Sequence, residues 1–328
     1  MAERAGGDLD VLALGMMMGE VAPPRAGRAV EDAGGLILFP SGSATIFAIA
    51  LARLGARVGV VSRVGDDDLG RWMRGEAERA GIDTAGVVAV PGQLTPLALA
   101  SVDERGAKRF AFYRFDGTCD PLATLRAAEV PETLLRRARV FDVGEASLRS
   151  PAMRGETLAL AARARDLGLA VCYTPNYRPA AWRGGAAEAV AAQRQALALA
   201  DLALMNADEA RLLGGSDDVA AAVAALRDLG PAEVVVTDGA DDTLVASAAG
   251  TAAVPAVRTT VVFDIGAGDT FHAGFLAAWR PGADPVACAR FAAHAAALKI
   301  SRPPDPDLLP TRDDVLAAMA AGQVAPPA

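Results

Sequence analysis

Hydrophobic and polar positions fall into two regimes along the chain. In the N-terminal third, short apolar runs are separated by Pro-, Gly- and charge-rich stretches; from residue 139 onward, apolar runs and helical patterns alternate regularly. In the first regime Asp8–Met16 predicts a buried strand, Ala44–Leu54 an apolar helix and Val58–Val64 a second strand. The loop Gly65–Gly70 opens a crossover helix over Arg71–Ala80. Thr95–Val102 and Lys108–Phe115 read as two strands joined by the turn signal Asp103–Glu104–Arg105–Gly106. The second regime predicts strands over Val140–Val143, Leu169–Tyr173, Leu202–Met205, Glu233–Thr237 and Thr243–Ala246. Between them run helices over Ser150–Gly168, Glu188–Ala200 and Asp217–Gly230. Such alternation with short connections predicts an α/β fold: a mainly parallel sheet covered on both faces, with ligands at the carboxyl ends of its strands. The stretches near residues 17–40 and 95–118 do not fit that rhythm and read as excursions from the main sheet.

Composition narrows the classes. With 328 residues, 52% of them hydrophobic, the chain can bury a sizeable core, in one large α/β domain with an appendage or in two ordinary domains. A net charge of −8 argues against a nucleic-acid or anionic-membrane surface, since those partners need a basic footprint. The acidic, Gly-rich start reads neither as a signal peptide nor as a membrane span. Cys119, Cys172 and Cys288 are far apart and form no C-x-x-C pair, so a reducing cytoplasmic setting is expected. Only His272 and His294 are present, which leaves a carboxylate as the expected base.

The chemistry concentrates in Phe263–Asp264–Ile265–Gly266–Ala267–Gly268–Asp269–Thr270–Phe271, where a β-branched run meets an apolar helix. Two glycines bracketing an alanine at a helix start aim several N–H groups into one small volume, an anion site. A carboxylate there is repelled by bound phosphate unless a proton acceptor or metal ligand is wanted, so Asp269 reads as a catalytic base. The plainer reading is a tight turn with Asp269 as a helix cap. Three more polar loops follow predicted strands: Thr174–Pro175–Asn176–Tyr177–Arg178, Asn206–Ala207–Asp208–Glu209 and Thr237–Asp238–Gly239. Their position on one rim favours a site. Asp66, Asp67 and Asp68 read more readily as acids at a helix N-terminus than as a metal site. In Lys108–Phe115 a period of two puts Phe110, Phe112 and Arg114 on one face, where the arginine either snorkels or clamps an anionic substrate.

On those residues the chain resembles the ribokinase-like sugar kinases, the PfkB carbohydrate kinase family, over roughly residues 10 to 317. Gly266-Ala267-Gly268-Asp269-Thr270-Phe271-His272-Ala273-Gly274-Phe275 is similar to the family's C-terminal signature. Ala50–Gly55 with Val61–Asp67, Asn206-x-x-Glu209 and Thr237-x-Gly239 match in order and spacing. The resemblance implies a three-layer α/β/α domain spanning residues 1–328. A small β-sheet lid would be built from the stretches near 17–40 and 95–118, with homodimerisation through that lid. It implies ATP-dependent phosphorylation of a sugar or sugar-acid hydroxyl, with Asp269 as base and Gly266, Ala267 and Gly268 as anion hole. Asn206 and Glu209 would organise Mg²⁺ and phosphates, Glu209 through water. Thr237 and Gly239 would line the ATP, and His294 falls on the adenine side.

Within the family, Tyr113-Arg114 and Pro175-Asn176-Tyr177-Arg178 with Trp182 look most like 2-keto-3-deoxygluconate kinases. Arg114 and Arg178 would then clamp the sugar-acid carboxylate. A fructokinase, a nucleoside kinase and a non-catalytic sugar or nucleotide sensor are the alternatives. Glu20 and Gly42 would lie at the sugar, but Glu20 stands where many members have Asp. Ser41-Gly42-Ser43-Ala44-Thr45-Ile46 replaces a Gly-Gly-Ala-x-x-Asn pattern whose amide grips sugar hydroxyls. Phe263 replaces the usual Asp three residues before the anion hole, with Asp264 one place later, which weakens the case for a monovalent cation (K⁺).

Overall fold

A computed structural model describes residues 7–23, 30, 34–102, 108–115, 118–264, 266–303 and 308–322. Of the readings above, the turn at 103–106, part of the 17–40 excursion, Ile265 and the tail after Gly322 lie outside the described residues. The chain opens with β1 (Leu9–Leu14), β2 (Met18–Ala22), β3 (Ile37–Ser41), α1 (Ser43–Arg53), β4 (Val58–Gly65) and α2 (Asp68–Arg79). There follow β5 (Asp83–Val90), β6 (Leu97–Val102), β7 (Lys108–Tyr113), α3 (Glu132–Leu135), β8 (Ala138–Gly144), α4 (Pro151–Asp166) and β9 (Ala170–Thr174). Next come α5 (Gly185–Leu197), β10 (Leu202–Asn206), α6 (Ala207–Gly214), α7 (Val219–Leu229), β11 (Glu233–Asp238), β12 (Asp241–Ser247) and β13 (Gly250–Val254). Helices α8 (Ala267–Ala278), α9 (Pro285–Ile300) and α10 (Arg312–Ala321) complete it.

Nine strands form the main sheet in the order β13-β12-β11-β10-β9-β8-β1-β4-β5. All neighbours from β11 to β5 in that order are parallel, and β12 and β13 close the far edge antiparallel. Central strand β1 shows why a near-continuous apolar run is needed, because both its faces are covered. Val11 and Ala13 enter one core with Phe47 of α1 and Phe275 of α8. Leu12 and Leu14 enter the opposite core with Phe141, Leu160 of α4 and Leu213 of α6. A period of two on one strand thus divides the helices into two layers.

A second sheet has the order β3-β2-β6-β7, with β2 parallel to β6 and the other pairs antiparallel. The two runs read as a hairpin pair directly, Leu97 opposite Tyr113 and Ala100 opposite Phe110.

Some elements differ from the sequence reading. Edge strand β5 was not anticipated, since its alternating exposed positions lack the apolar run of its neighbours. Helix α2 begins at Asp68 rather than Arg71, because Asp67 is its cap: its Oδ1 accepts from the Gly70 amide at 2.7 Å. Asp67 also accepts from the amide and hydroxyl of Thr95, at 2.8 and 2.7 Å, tying β6 to the start of α2. Its oxygens are therefore committed to structure, as the cap reading of the three acids implied.

Candidate active site

The loops after β9, β10 and β11 meet the N-terminus of α8 around a cleft of about 340 Å³. Its walls include Gly266, Ala267, Gly268, Asp269, Asn206, Glu209, Thr237 and Arg178. The local sequence builds the floor. Gly266 precedes α8 with φ of 81°, a left-handed conformation that an L side chain would strain, and no side chain caps the helix. The first amides of a helix have no acceptor within it; that of Ala267 donates to the Asp264 carbonyl at 3.2 Å, which leaves those of Gly268 and Asp269 at the cleft. A Cβ on Gly268 would meet nothing within 4 Å, which leaves that amide open to approach. Helix α8 is held close to α9 because Gly274 lacks a side chain; a Cβ there would fall 2.8 Å from Ala292 Cα.

Loss of hydration raises the Asp269 carboxyl above the usual carboxylate range, and the nearby His272, Arg178 and Lys299 side chains hold that rise back. One turn further along α8, His272 is buried: its Nε2 lies 2.9 Å from Asp142 Oδ1 and its ring stacks on Phe47 at 4.2 Å. Thr174 Oγ1 lies within 3.2 Å of both ring nitrogens. The helix thus carries the carboxylate of Asp269 at the cleft and an imidazole anchored to β8 and β9 beneath it.

Glu209 joins two of the loops. Asn206 and Glu209 form a reciprocal cap at the start of α6, the Glu209 amide donating to Asn206 Oδ1 at 2.9 Å and the Asn206 amide to Glu209 Oε2 at 3.0 Å. The other carboxylate oxygen accepts from the Tyr177 amide at 2.7 Å. Burial pushes the Glu209 carboxyl up despite these donors. Each Glu209 carboxylate oxygen thus holds one backbone amide, one from each loop. Asn176 takes a left-handed φ of 45°, tolerated by asparagine, as its loop turns along the cleft wall.

Not all residues singled out from sequence converge here. Arg114 leaves the face of Phe110 and Phe112 and pairs with buried Asp120 at 2.8 Å, so the two-arginine clamp is not assembled; Arg178 lines the cleft without it. The strand β7 ends at Tyr113, which frees Arg114 from the alternation that its spacing suggested. Glu20 accepts a hydrogen bond from Ser41 Oγ at 2.8 Å in the second sheet, and burial raises its carboxyl. Gly42 lies at the start of α1, Gly239 in the exposed turn after β11, and His294 on α9 bonded to the Arg290 carbonyl. None of these five is among the residues lining the cleft. Conversely, Thr174 and His272 line it and were not read as site residues. His272 was visible one turn after Asp269, but its partner Asp142 comes from another strand, which no spacing could reveal.

The model of the "pfkB family carbohydrate kinase" matches residues 9–312. Fructokinase-1 of Oryza sativa subsp. japonica is 34% identical over 172 residues, 52% of this chain and 52% of that one, so the chain spans about half the length of this relative. A putative ribokinase II from E. coli superimposes with a TM-score of 0.85 at 23% identity, covering 95% of this chain and 99% of the other. A double-mutant fructokinase of Vibrio cholerae O395, solved with fructose, ADP and potassium ion, gives 0.82 at 23%, covering 96% and 99%. At these identities the two structures establish the fold: a ribokinase-like α/β architecture with a separate small sheet.

Proposed function

Because the chain belongs to the pfkB family of carbohydrate kinases, we propose that it transfers the γ-phosphoryl group of ATP to a hydroxyl of a small sugar. The observation that carries this reading is the Asp269 carboxylate beside the open amide of Gly268, at the cleft where three strand-end loops meet. Asp269 takes the proton from the attacking hydroxyl; its raised pKa suits it to accept one. The amides of Gly266 and Gly268 stabilise charge on the transferring group, that of Ala267 being bonded to the Asp264 carbonyl, with α8 oriented so that its positive end faces that charge. Thr237 and Asn206 would line the nucleotide side, and Glu209 would hold Mg²⁺ through water. Bound Mg²⁺ supplies charge neutralisation on the phosphates.

Fructose is the first sugar to test, because the relatives matched in sequence and structure include fructokinases. The 2-keto-3-deoxygluconate reading keeps Arg178 in the cleft but has lost Arg114 to Asp120. The second sheet acts as a lid on a single domain and as the contact in a homodimer. Its exposed Ile37, Leu38, Phe110 and Phe112 support that role.

Coupled ADP-release assays over fructose, 2-keto-3-deoxygluconate, ribose and a nucleoside, with wild type and Asp269→Asn, test the proposal. Turnover that drops about 10²–10⁴-fold in the variant is expected; equal turnover in both proteins removes Asp269 as the base. Nucleotide binding without turnover of any sugar would instead favour the sensor.

A further inference from the structure

The family pattern places an acid at position 263 and a monovalent cation behind the anion hole, and the Vibrio cholerae relative was solved with a potassium ion. The residues of this chain do not fit such an ion. Position 263 is phenylalanine, and its ring faces the ammonium of Lys299, with Nζ 4.6 Å from the ring centroid. The same Nζ donates to the Phe263 carbonyl at 3.0 Å. Lys299 is 8% exposed, in the last turn of α9. The next residue completes the arrangement, since the Ile300 carbonyl accepts the amides of Val262 at 2.8 Å and Phe263 at 3.0 Å. The segment leading into the anion hole is therefore closed onto the end of α9 by two backbone bonds and one ammonium. That ammonium lies directly behind the hole: a Cβ on Gly266 would come 3.7 Å from Lys299 Cε and 4.0 Å from Nζ.

We propose that the Lys299 ammonium is a built-in monovalent cation, fixing the Phe263 carbonyl and supplying positive charge behind the anion hole in place of a bound ion. The inference rests on reading Gly266–Asp269 as a phosphoryl-transfer centre. An ammonium is a compact point charge with three donors, chemically close to potassium in charge and hydration, and carbonyl oxygens and an aromatic face can both receive it. A free cation placed beside it would meet like-charge repulsion and would lack the missing acid. Fixed positive charge aimed where negative charge develops needs no reorganisation during the reaction. Lys299 is thus a positioning and electrostatic residue, outside the residues that line the cleft.

The test compares turnover in potassium, ammonium and tetramethylammonium chlorides at a matched ionic strength of about 0.1 M, where exposed charges are already screened beyond roughly 10 Å. Wild-type turnover is expected to change less than about twofold among the three salts. Lys299→Ala and Lys299→Met should each lose on the order of 10²–10³-fold in kcat, the scale of losing one anion-hole donor. Ammonium or potassium should restore at least about tenfold of that in Lys299→Ala, where the side chain leaves room, and little in Lys299→Met, where the stem fills it. Activation of wild type by potassium, or loss in Lys299→Ala without rescue by either ion, overturns the proposal. Thermal melting gives an arm that needs no substrate. Potassium should raise the Tm of Lys299→Ala/Phe263→Asp relative to tetramethylammonium and leave wild type unmoved, and a potassium-specific rise in wild type again overturns the proposal. Absence of turnover with every sugar would remove the kinase reading while this arm still reports on the cation.

Discussion

The backbone amide of Tyr177 donates to the Glu209 carboxylate at 2.7 Å, so the loop carrying Arg178 is fastened to the loop carrying Asn206. One side chain therefore couples the two sides of the cleft. Glu209→Ala should raise KM for both sugar and nucleotide, and should cost about 1 kcal/mol of stability from the lost cap. Initial-rate kinetics with each substrate varied would check it. A rise confined to the nucleotide would show that the Tyr177 bond is not what places Arg178.

Asp269 links activity to stability with opposite signs. Its carboxyl is raised by burial above the ordinary value of 3.8, so the folded protein holds that proton more tightly than the unfolded chain. The resulting stabilisation is complete below the ordinary value and is lost as pH rises through the raised one. At neutral pH the ionised group therefore costs stability, and Asp269→Asn should melt higher than wild type while losing turnover. The difference should shrink as pH falls towards the ordinary carboxylate range. Melting curves across that range decide it, and a variant that melts lower at neutral pH would contradict the sign. In wild type, turnover should fall on the acid side as Asp269 protonates, at a pH above that of an ordinary aspartate.

Arg114 and Asp120 form a structural pair, the aspartate 6% exposed. Arg114→Ala would leave a buried carboxylate without its partner, at a cost of about 3 kcal/mol. Urea unfolding should show that loss with the order of sugar preference unchanged. A shifted preference at unchanged stability would restore Arg114 as a substrate contact.

Phe112 is 61% exposed, with its ring 5.9 Å from that of Phe110 on the second sheet. If that face joins two copies, Phe112→Asp should sediment as a monomer under conditions where wild type is a dimer, with an unchanged circular dichroism spectrum. Wild type that sediments as a monomer at micromolar concentration would dispose of the lid interface.

Much of the fold was legible because its signals are local. The regular alternation after residue 139 marks strands buried on both faces, and Val140, Leu202 and Val234 lie where the apolar runs put them. Element ends were less legible. The start of α2 depends on Asp67 accepting from Gly70 and Thr95, and the second of those partners is 28 residues away. Strand β5 was hidden because an edge strand carries exposed side chains that break the apolar pattern.

The sequence by itself determined the chemistry that short-range backbone geometry can encode. Gly-Ala-Gly-Asp at a helix start specifies helix-start amides beside a carboxylate, and Asn206-x-x-Glu209 specifies a reciprocal cap, because each depends on residues within one helical turn. Only the tertiary structure decided the pairings between distant segments. Arg114 met Asp120 instead of the cleft, His272 met Asp142, Glu209 met Tyr177, and Lys299 met Phe263. Each pairing depends on which strands and helices pack together, and a buried charge takes the partner that packing brings within reach.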